Sequence, residues 1–197
     1  MNNLACDCQF DDEPDYEIIE GVKTFMAPSG TLDHGTVIGN LFGQIFMHIF
    51  KNNIKAAVFV DDIDVHLPDG SYFKPDLTVV LNSELTKNRK AVYGAPDMVV
   101  EVLSYSTMSN DLGKKKDAYE RNGVKEYWII DPWSKRVEVY HLINGKFTLS
   151  TACKVYTDKE LATIDEDKHS TLNYEIKVSI FEDLVIDIRN IFKWWFD

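Results

Sequence analysis

Apolar residues along this chain fall into helical stripes, alternations and one continuous run, and each pattern predicts an element. Between Leu32 and Lys51, Val37, Ile38, Leu41, Phe42, Ile45, Phe46, Ile49 and Phe50 recur every three or four positions, which predicts a helix with a broad buried face. Pro28-Ser29-Gly30-Thr31 breaks the chain ahead of it and offers Ser or Thr as a cap. Gly35, Gly39 and Gly43 stand four apart on one stripe of this helix. Glycine weakens helices, so the stripe is expected to mark close approach of another backbone, either the protein's own sheet or a second copy.

Strand signals surround this helix. Tyr16 to Met26 reads as a short hairpin around Gly21. Val58 to Leu67 alternates apart from a slip at Asp61-Asp62, which predicts a single strand with a bulge. Asp69-Gly70 is a hairpin signal. The strand expected next, Tyr72 to Leu81, sets Tyr72, Lys74, Asp76, Thr78 and Val80 on one face. Pro75 inside it argues for an edge or a bulge, where a ladder can open to a ligand. Residues 82–95 read as a polar connection.

The segment from Ala95 to Tyr140 organises the rest. Met98 to Leu103 is apolar but for Glu101, the pattern of a strand covered on both faces. A carboxylate buried there without a partner costs several kcal/mol or takes up a proton, so Glu101 needs a cation or a donor. After a polar turn over residues 104–110, a helix is expected from about Asp111 to Asn122, ended by Gly123 in the left-handed conformation. At about 100° per residue, Lys114, Lys116, Asp117, Glu120 and Arg121 share one arc of that helix. Leu112, Ala118 and Tyr119 share the other, with Asp111 and Lys115 among them. Lys115 is therefore the lysine of the Lys114-Lys115-Lys116 run that points inward. Val124 to Asp131 closes a strand–helix–strand unit. Glu101 and Lys115 then form either one site or a structural ion pair.

Beyond it, Lys135 to Leu142 and Lys146 to Tyr156 flank the hairpin signal Asn144-Gly145. The C-terminal apolar positions fit a helix over Phe181 to Trp195, while Val185 to Ile188 alone fits a strand. Phe192, Trp194, Trp195 and Phe196 call for docking on the same domain or on a neighbouring subunit.

With 197 residues and 45% hydrophobic content, the chain is long enough for one domain with a real core, expected over residues 16–197 behind a flexible acidic tail at 1–15. No apolar run reaches the ~18 residues of a membrane span, and the first residues have neither the basic start nor the apolar centre of a signal peptide. Three cysteines, Cys6, Cys8 and Cys153, fit a reduced, cytoplasmic setting. The net charge of −11 argues against a general nucleic-acid binder. Its distribution weakens that argument, because residues 1–20 hold seven acids and no Lys or Arg. A local basic groove can still be drawn from Lys87, Arg89, Lys90, Lys114, Lys116, Arg121 and Lys125.

Pro75-Asp76, Glu101 and an inward lysine together resemble the PD-(D/E)XK nuclease superfamily. The segments APSGTLDHGTVIGNL, FKPDLTVVL, APDMVVEVLSYST, DLGKKKDAY and NGVKEYWIIDPWSKRVEVY resemble, more closely, the Uma-type family of putative restriction endonucleases. The resemblance implies an α+β restriction-endonuclease-like fold: a mixed sheet of four or five core strands flanked by helices, with additional β-hairpins. It implies Asp76 and Glu101 as ligands of Mg²⁺ or Mn²⁺ and Lys115 as the catalytic lysine. His34, Asp97, Asp111 and Tyr119 are candidates to support them, and Asp97 is an alternative ligand on the same strand face as Glu101. DNA is the implied substrate and a homodimer the expected assembly. In the superfamily pattern the lysine lies two residues beyond the acid, where this chain has Leu103. A first-helix glutamate, common in the superfamily, is missing from residues 29–53. A catalytically silent binding or regulatory protein of the same fold is the alternative.

Overall fold

The computed structural model describes residues 15–25, 31–61, 63–104 and 108–195. Most of the acidic tail, with Cys6 and Cys8, and parts of the turns before the first and second helices lie outside the described residues. The chain opens with β1 (Tyr16–Ile19), β2 (Val22–Phe25), α1 (Leu32–Lys51), β3 (Ala57–Val60), β4 (Val65–His66), β5 (Tyr72–Phe73) and β6 (Leu77–Val80). There follow β7 (Val92–Tyr93), β8 (Met98–Val102), α2 (Met108–Leu112), α3 (Lys114–Asn122), β9 (Glu126–Asp131), β10 (Arg136–Ile143) and β11 (Lys146–Lys154). The C-terminal part is α4 (Asp158–Leu161), α5 (Glu166–His169), β12 (Glu175–Lys177), β13 (Val185–Asp187) and α6 (Ile188–Ile191).

Two larger sheets result. One has six strands in the order β11-β10-β9-β8-β6-β3, with β8 and β9 parallel and the other pairs antiparallel. The other has five short strands in the order β2-β1-β5-β4-β7. The architecture is mixed α+β, as expected, but the main sheet has one strand more than the four or five implied.

Helix α1 begins where its cap predicts, the Thr31 side chain accepting from the His34 backbone N–H. It lays Val37, Ile38, Leu41, Ile45 and Ile49 against Leu77, Val79, Met98, Val100, Val102, Trp128 and Ile130. On the opposite face of the main sheet, Val99, Leu103, Tyr127 and Ile129 pack with Tyr119 of α3 and with Val65, Phe73 and Val92 of the small sheet. Strands β8 and β9 are thus covered on both sides, which is why their sequences run apolar without alternation.

Four expectations need correction. Val58 to Leu67 is not one bulged strand: β3 belongs to the main sheet and β4 to the small one. The slip at Asp61 is where the chain leaves one sheet for the other, with Asp61 in the left-handed region at φ 43°. Tyr72 to Leu81 divides in the same way around Lys74-Pro75-Asp76, because proline cannot donate to a ladder. The helix expected from Asp111 starts at Met108 and breaks at Gly113, whose φ −120° and ψ −99° are not helical. The glycine stripe of α1 does not meet the sheet, since a Cβ added at Gly35, Gly39 or Gly43 finds nothing within 4 Å. Both readings of the C-terminus hold in part: β13 is a strand paired with β12, and α6 follows it directly.

Candidate active site

The two sheet crossings place Asp76 at the mouth of β6, beside the end of β8. Its Oδ2 accepts from the Val102 backbone N–H at 2.6 Å, and its Oδ1 lies 3.3 Å from His34 Nε2. His34 reaches it from the first turn of α1. Their side chains keep 16% and 19% exposure, so this pair forms a solvent-reachable rim. Burial works against the imidazolium, but the Asp76 carboxylate and, more weakly, Asp61 overcome it and hold His34 above its ordinary pKa.

Behind the rim the site is closed. Lys115 Nζ lies 2.7 Å from Glu101 Oε1, 3.0 Å from Glu17 Oε1 and 3.3 Å from Asp111 Oδ1. All four side chains are buried. Tyr119 donates its hydroxyl to Glu101 at 2.8 Å, and Tyr127 donates to the Asp111 carbonyl at 2.9 Å. The Gly123 cap, at φ 89° in the left-handed region, ends α3 where it was expected to. The break at Gly113 lets α2 and α3 set Asp111 and Lys115 toward the same point. Three carboxylates face one ammonium, so fully ionised the cluster carries excess negative charge. Burial, joined by Asp111, Asp76 and Glu17 and opposed by Lys115, drives the Glu101 carboxyl well above its ordinary range. Burial also opposes the Lys115 charge, but Glu101, Asp111 and Glu17 prevail and keep the ammonium protonated.

The predicted residues Asp76, Glu101, Lys115, His34, Asp111 and Tyr119 thus gather around one end of β8. Asp97 does not join them. It sits at the other end of the strand, accepting from the Leu81 backbone N–H at 2.7 Å and from Lys125 at 2.6 Å. Glu17 is the member that sequence reasoning missed. It comes from β1 of the small sheet and also accepts from the Lys74 backbone N–H at 3.0 Å. The signal was present: in the Tyr16-to-Ile19 alternation Glu17 shares the inward face with Ile19.

Two further observations bear on ligands. Among the described residues no group of three or more His, Cys, Asp or Glu side chains is arranged to enclose a metal ion. Of the proposed basic groove, Lys87, Lys114, Arg121 and Lys125 are each paired with a carboxylate, and Lys116 lies 3.4 Å over the Tyr140 ring. No helix among the described residues is long and apolar enough to cross a membrane.

Known proteins share a family profile and a fold with this chain. The sequence profile of the Uma2 family, described as "putative restriction endonuclease", matches residues 3–166. A crystal structure of a putative nuclease from Anabaena variabilis ATCC 29413 aligns with a TM-score of 0.62. It covers 91% of this chain and 90% of that one at 18% identity, which establishes a shared fold. A search of curated proteins finds no match.

Proposed function

The chain belongs to the Uma2 family of putative restriction endonucleases, and from that premise we propose that it is a DNA endonuclease dependent on Mg²⁺ or Mn²⁺. The observation that carries this reading is a lysine buried among more carboxylates than it can neutralise, directly behind a solvent-reachable carboxylate–imidazole pair. A purely structural ion pair has no need of the surplus acids.

The donor set fits a hard divalent cation. Asp76 and Glu101 offer carboxylate oxygens, and Mg²⁺ commonly takes one or two protein carboxylates and completes its shell with water and substrate phosphate. Such an ion supplies a lowered water pKa and neutralises phosphate charge. The protein's own groups do the rest. Val102 N–H and His34 fix the orientation of Asp76. Tyr119 and Lys115 hold Glu101. Lys115 provides the positive charge that a phosphodiester develops a need for as its bond to the leaving oxygen breaks. Glu17 and Asp111 keep that ammonium charged and aimed.

The test is a plasmid-nicking assay with added Mg²⁺ or Mn²⁺ on the wild-type chain, Asp76→Ala and Glu101→Ala. Nicking by the wild type alone is the expected result, and wild-type protein inert in both metals rejects the proposal. The neutralised basic side chains support a second reading, a catalytically silent nuclease-fold binding or regulatory protein. Calorimetric titration with Mn²⁺ separates the two, because a silent scaffold has no need to bind the metal.

A further inference from the structure

An open cavity of about 250 Å³ lies at the edge of the main sheet, outside the cluster around Lys115. Its floor is apolar: Phe59 comes from the edge strand β3, Ile63 from the crossing between β3 and β4, and Val92 from β7. Phe59 packs toward the α3 side of the sheet but, like Ile63, is only partly buried. Arg89 and Lys90, both exposed, stand at the rim. The connection from β6 to β7 holds them there. A 3₁₀ turn over Ser83–Thr86 opens it, capped by Asn82. The Arg89 backbone N–H then donates to the Thr86 carbonyl, and Asn88 Oδ1 accepts from the Lys90 backbone N–H, each at 2.9 Å. Among the described residues neither cation has a carboxylate partner, whereas Lys87, Lys114, Arg121 and Lys125 are all neutralised. In a chain of net charge −11, two uncompensated cations above an aromatic floor suit an anion that also carries a flat apolar part.

We propose that this cavity receives one unpaired nucleotide of a DNA strand, its base on Phe59 and its phosphates against Arg89 and Lys90. The inference rests on the nuclease reading and deepens it, because the cavity adjoins the candidate site. Phe59 faces Thr78 across the ladder, and Thr78 is two residues from Asp76, about 7 Å along the strand. The Asp61 backbone N–H donates to the Asp76 carbonyl at 3.2 Å, so the crossing that carries Ile63 is tied to the candidate metal ligand. A nucleotide in the cavity and a phosphate at Asp76 are therefore neighbours on one strand. A base stacked and paired in a duplex cannot enter such a cavity without extrusion, which costs least where the base is already unpaired. The expected substrate is single-stranded DNA, or duplex with an unpaired stretch. Stacking on a ring tolerates any base, so little sequence preference is expected from this contact.

The test is fluorescence anisotropy with a labelled single-stranded DNA of ~10 nucleotides, within the usual site size for single strands. It uses the full chain in EDTA at one fixed salt concentration, so binding is read without cleavage. The wild type is expected to bind this strand at least ~10-fold tighter than its duplex, and at least ~5-fold tighter than the same strand made abasic. Phe59→Leu, which keeps the floor apolar, should remove the preference for bases and leave abasic binding unchanged. The double variant Arg89→Glu, Lys90→Glu alters two exposed side chains and should weaken both strands at least ~10-fold. A wild type that favours duplex, or binds the abasic strand equally well, overturns the proposal. So does a double variant that binds like wild type. A deoxynucleoside monophosphate that binds as tightly as the strand would make the cavity a free-nucleotide site and also overturn it. Protein that is inert in plasmid nicking but binds single strands in this pattern keeps the cavity and rejects the nuclease reading. Protein that nicks without this pattern does the reverse.

Discussion

Two buried glutamates on neighbouring strands are held in opposite ways. Glu126 on β9 faces the α1 side of the main sheet; the groups that hydrogen-bond to it are neutral, and His141 Nε2 lies 3.9 Å away. The Trp128 indole N–H lies at 2.6 Å, the Ser179 backbone N–H at 2.7 Å, and the Ser179 hydroxyl also donates. Glu101 on β8 faces the other side and meets an ammonium, a phenol and two further acids within one cluster. Glu126 ties the C-terminal segment to the sheet and asks for nothing more. Glu101 sits in an arrangement whose negative charge exceeds its positive charge, so it remains incomplete without a proton or another cation. Burial alone did not distinguish them. What distinguishes a structural carboxylate from a candidate catalytic one is the balance of charge around it.

The sharpest way to break this comparison is to remove the cation. Lys115→Met is expected to destabilise the fold by about 3–5 kcal/mol at pH 7, because it leaves three buried carboxylates without their counter-charge. The sign of the pH dependence follows from Glu101, whose folded-state pKa is raised. A raised carboxyl favours the fold most at low pH, and that contribution fades as pH climbs through the folded-state value. The penalty in Lys115→Met should therefore shrink between pH 7 and pH 5 in urea unfolding, and an equal loss at both would contradict the charge-excess account. Glu126→Gln comes next, at about 2–3 kcal/mol, since an amide cannot accept from all three donors and leaves one facing a like group. Thermal unfolding should move down by about 5–10 °C, while nicking at low temperature persists.

Much of this was legible in the sequence, and the failures have physical causes. The period of α1, its Thr31 cap, the Asn144-Gly145 hairpin and the inward turn of Lys115 all depend on local geometry, and all stand in the structure. The two broken strands failed because alternation continues across a sheet change. Val58 to Leu67 alternates on both sides of its slip while passing from the main sheet to the small one, and Asp61 and Pro75 mark the crossings. Glu17 was lost among the N-terminal acids because its role is set by a contact with Lys115 98 residues away. Asp97 was credited to the site by strand parity, which gives the face of a residue but not its position along the strand. Packing of the glycine stripe on the sheet, the default expectation, fails because the stripe points outward.

A milder substitution sharpens the contrast. Glu101→Gln removes one acid from a cluster that has a surplus, so the lost ion pair is largely offset by reduced repulsion. A stability change of about 1 kcal/mol or less is expected. Under the proposed mechanism nicking nevertheless falls ~10²-fold or more, because the amide supplies no metal-binding charge. A variant as unstable as Glu126→Gln would place Glu101 in the structural class instead.

The smallest effect is expected at the neighbouring lysine. Lys116 stands one position from Lys115 but about 100° around the helix, and its ammonium lies 3.4 Å over the Tyr140 ring instead of among the carboxylates. It is half-buried by that contact, and burial lowers its pKa. Loss of a partly exposed cation–π contact costs about 0.5–1 kcal/mol, so Lys116→Ala should unfold close to wild type. Its charge serves DNA at most as one phosphate contact, and removing it should reduce the salt dependence of binding by a slope of about 1 while hydrolysis continues. The pair of variants tests the helix register directly. Activity that survives Lys115→Ala and disappears in Lys116→Ala would move the chemistry to the Tyr140 side of α3 and leave the buried carboxylates a structural role.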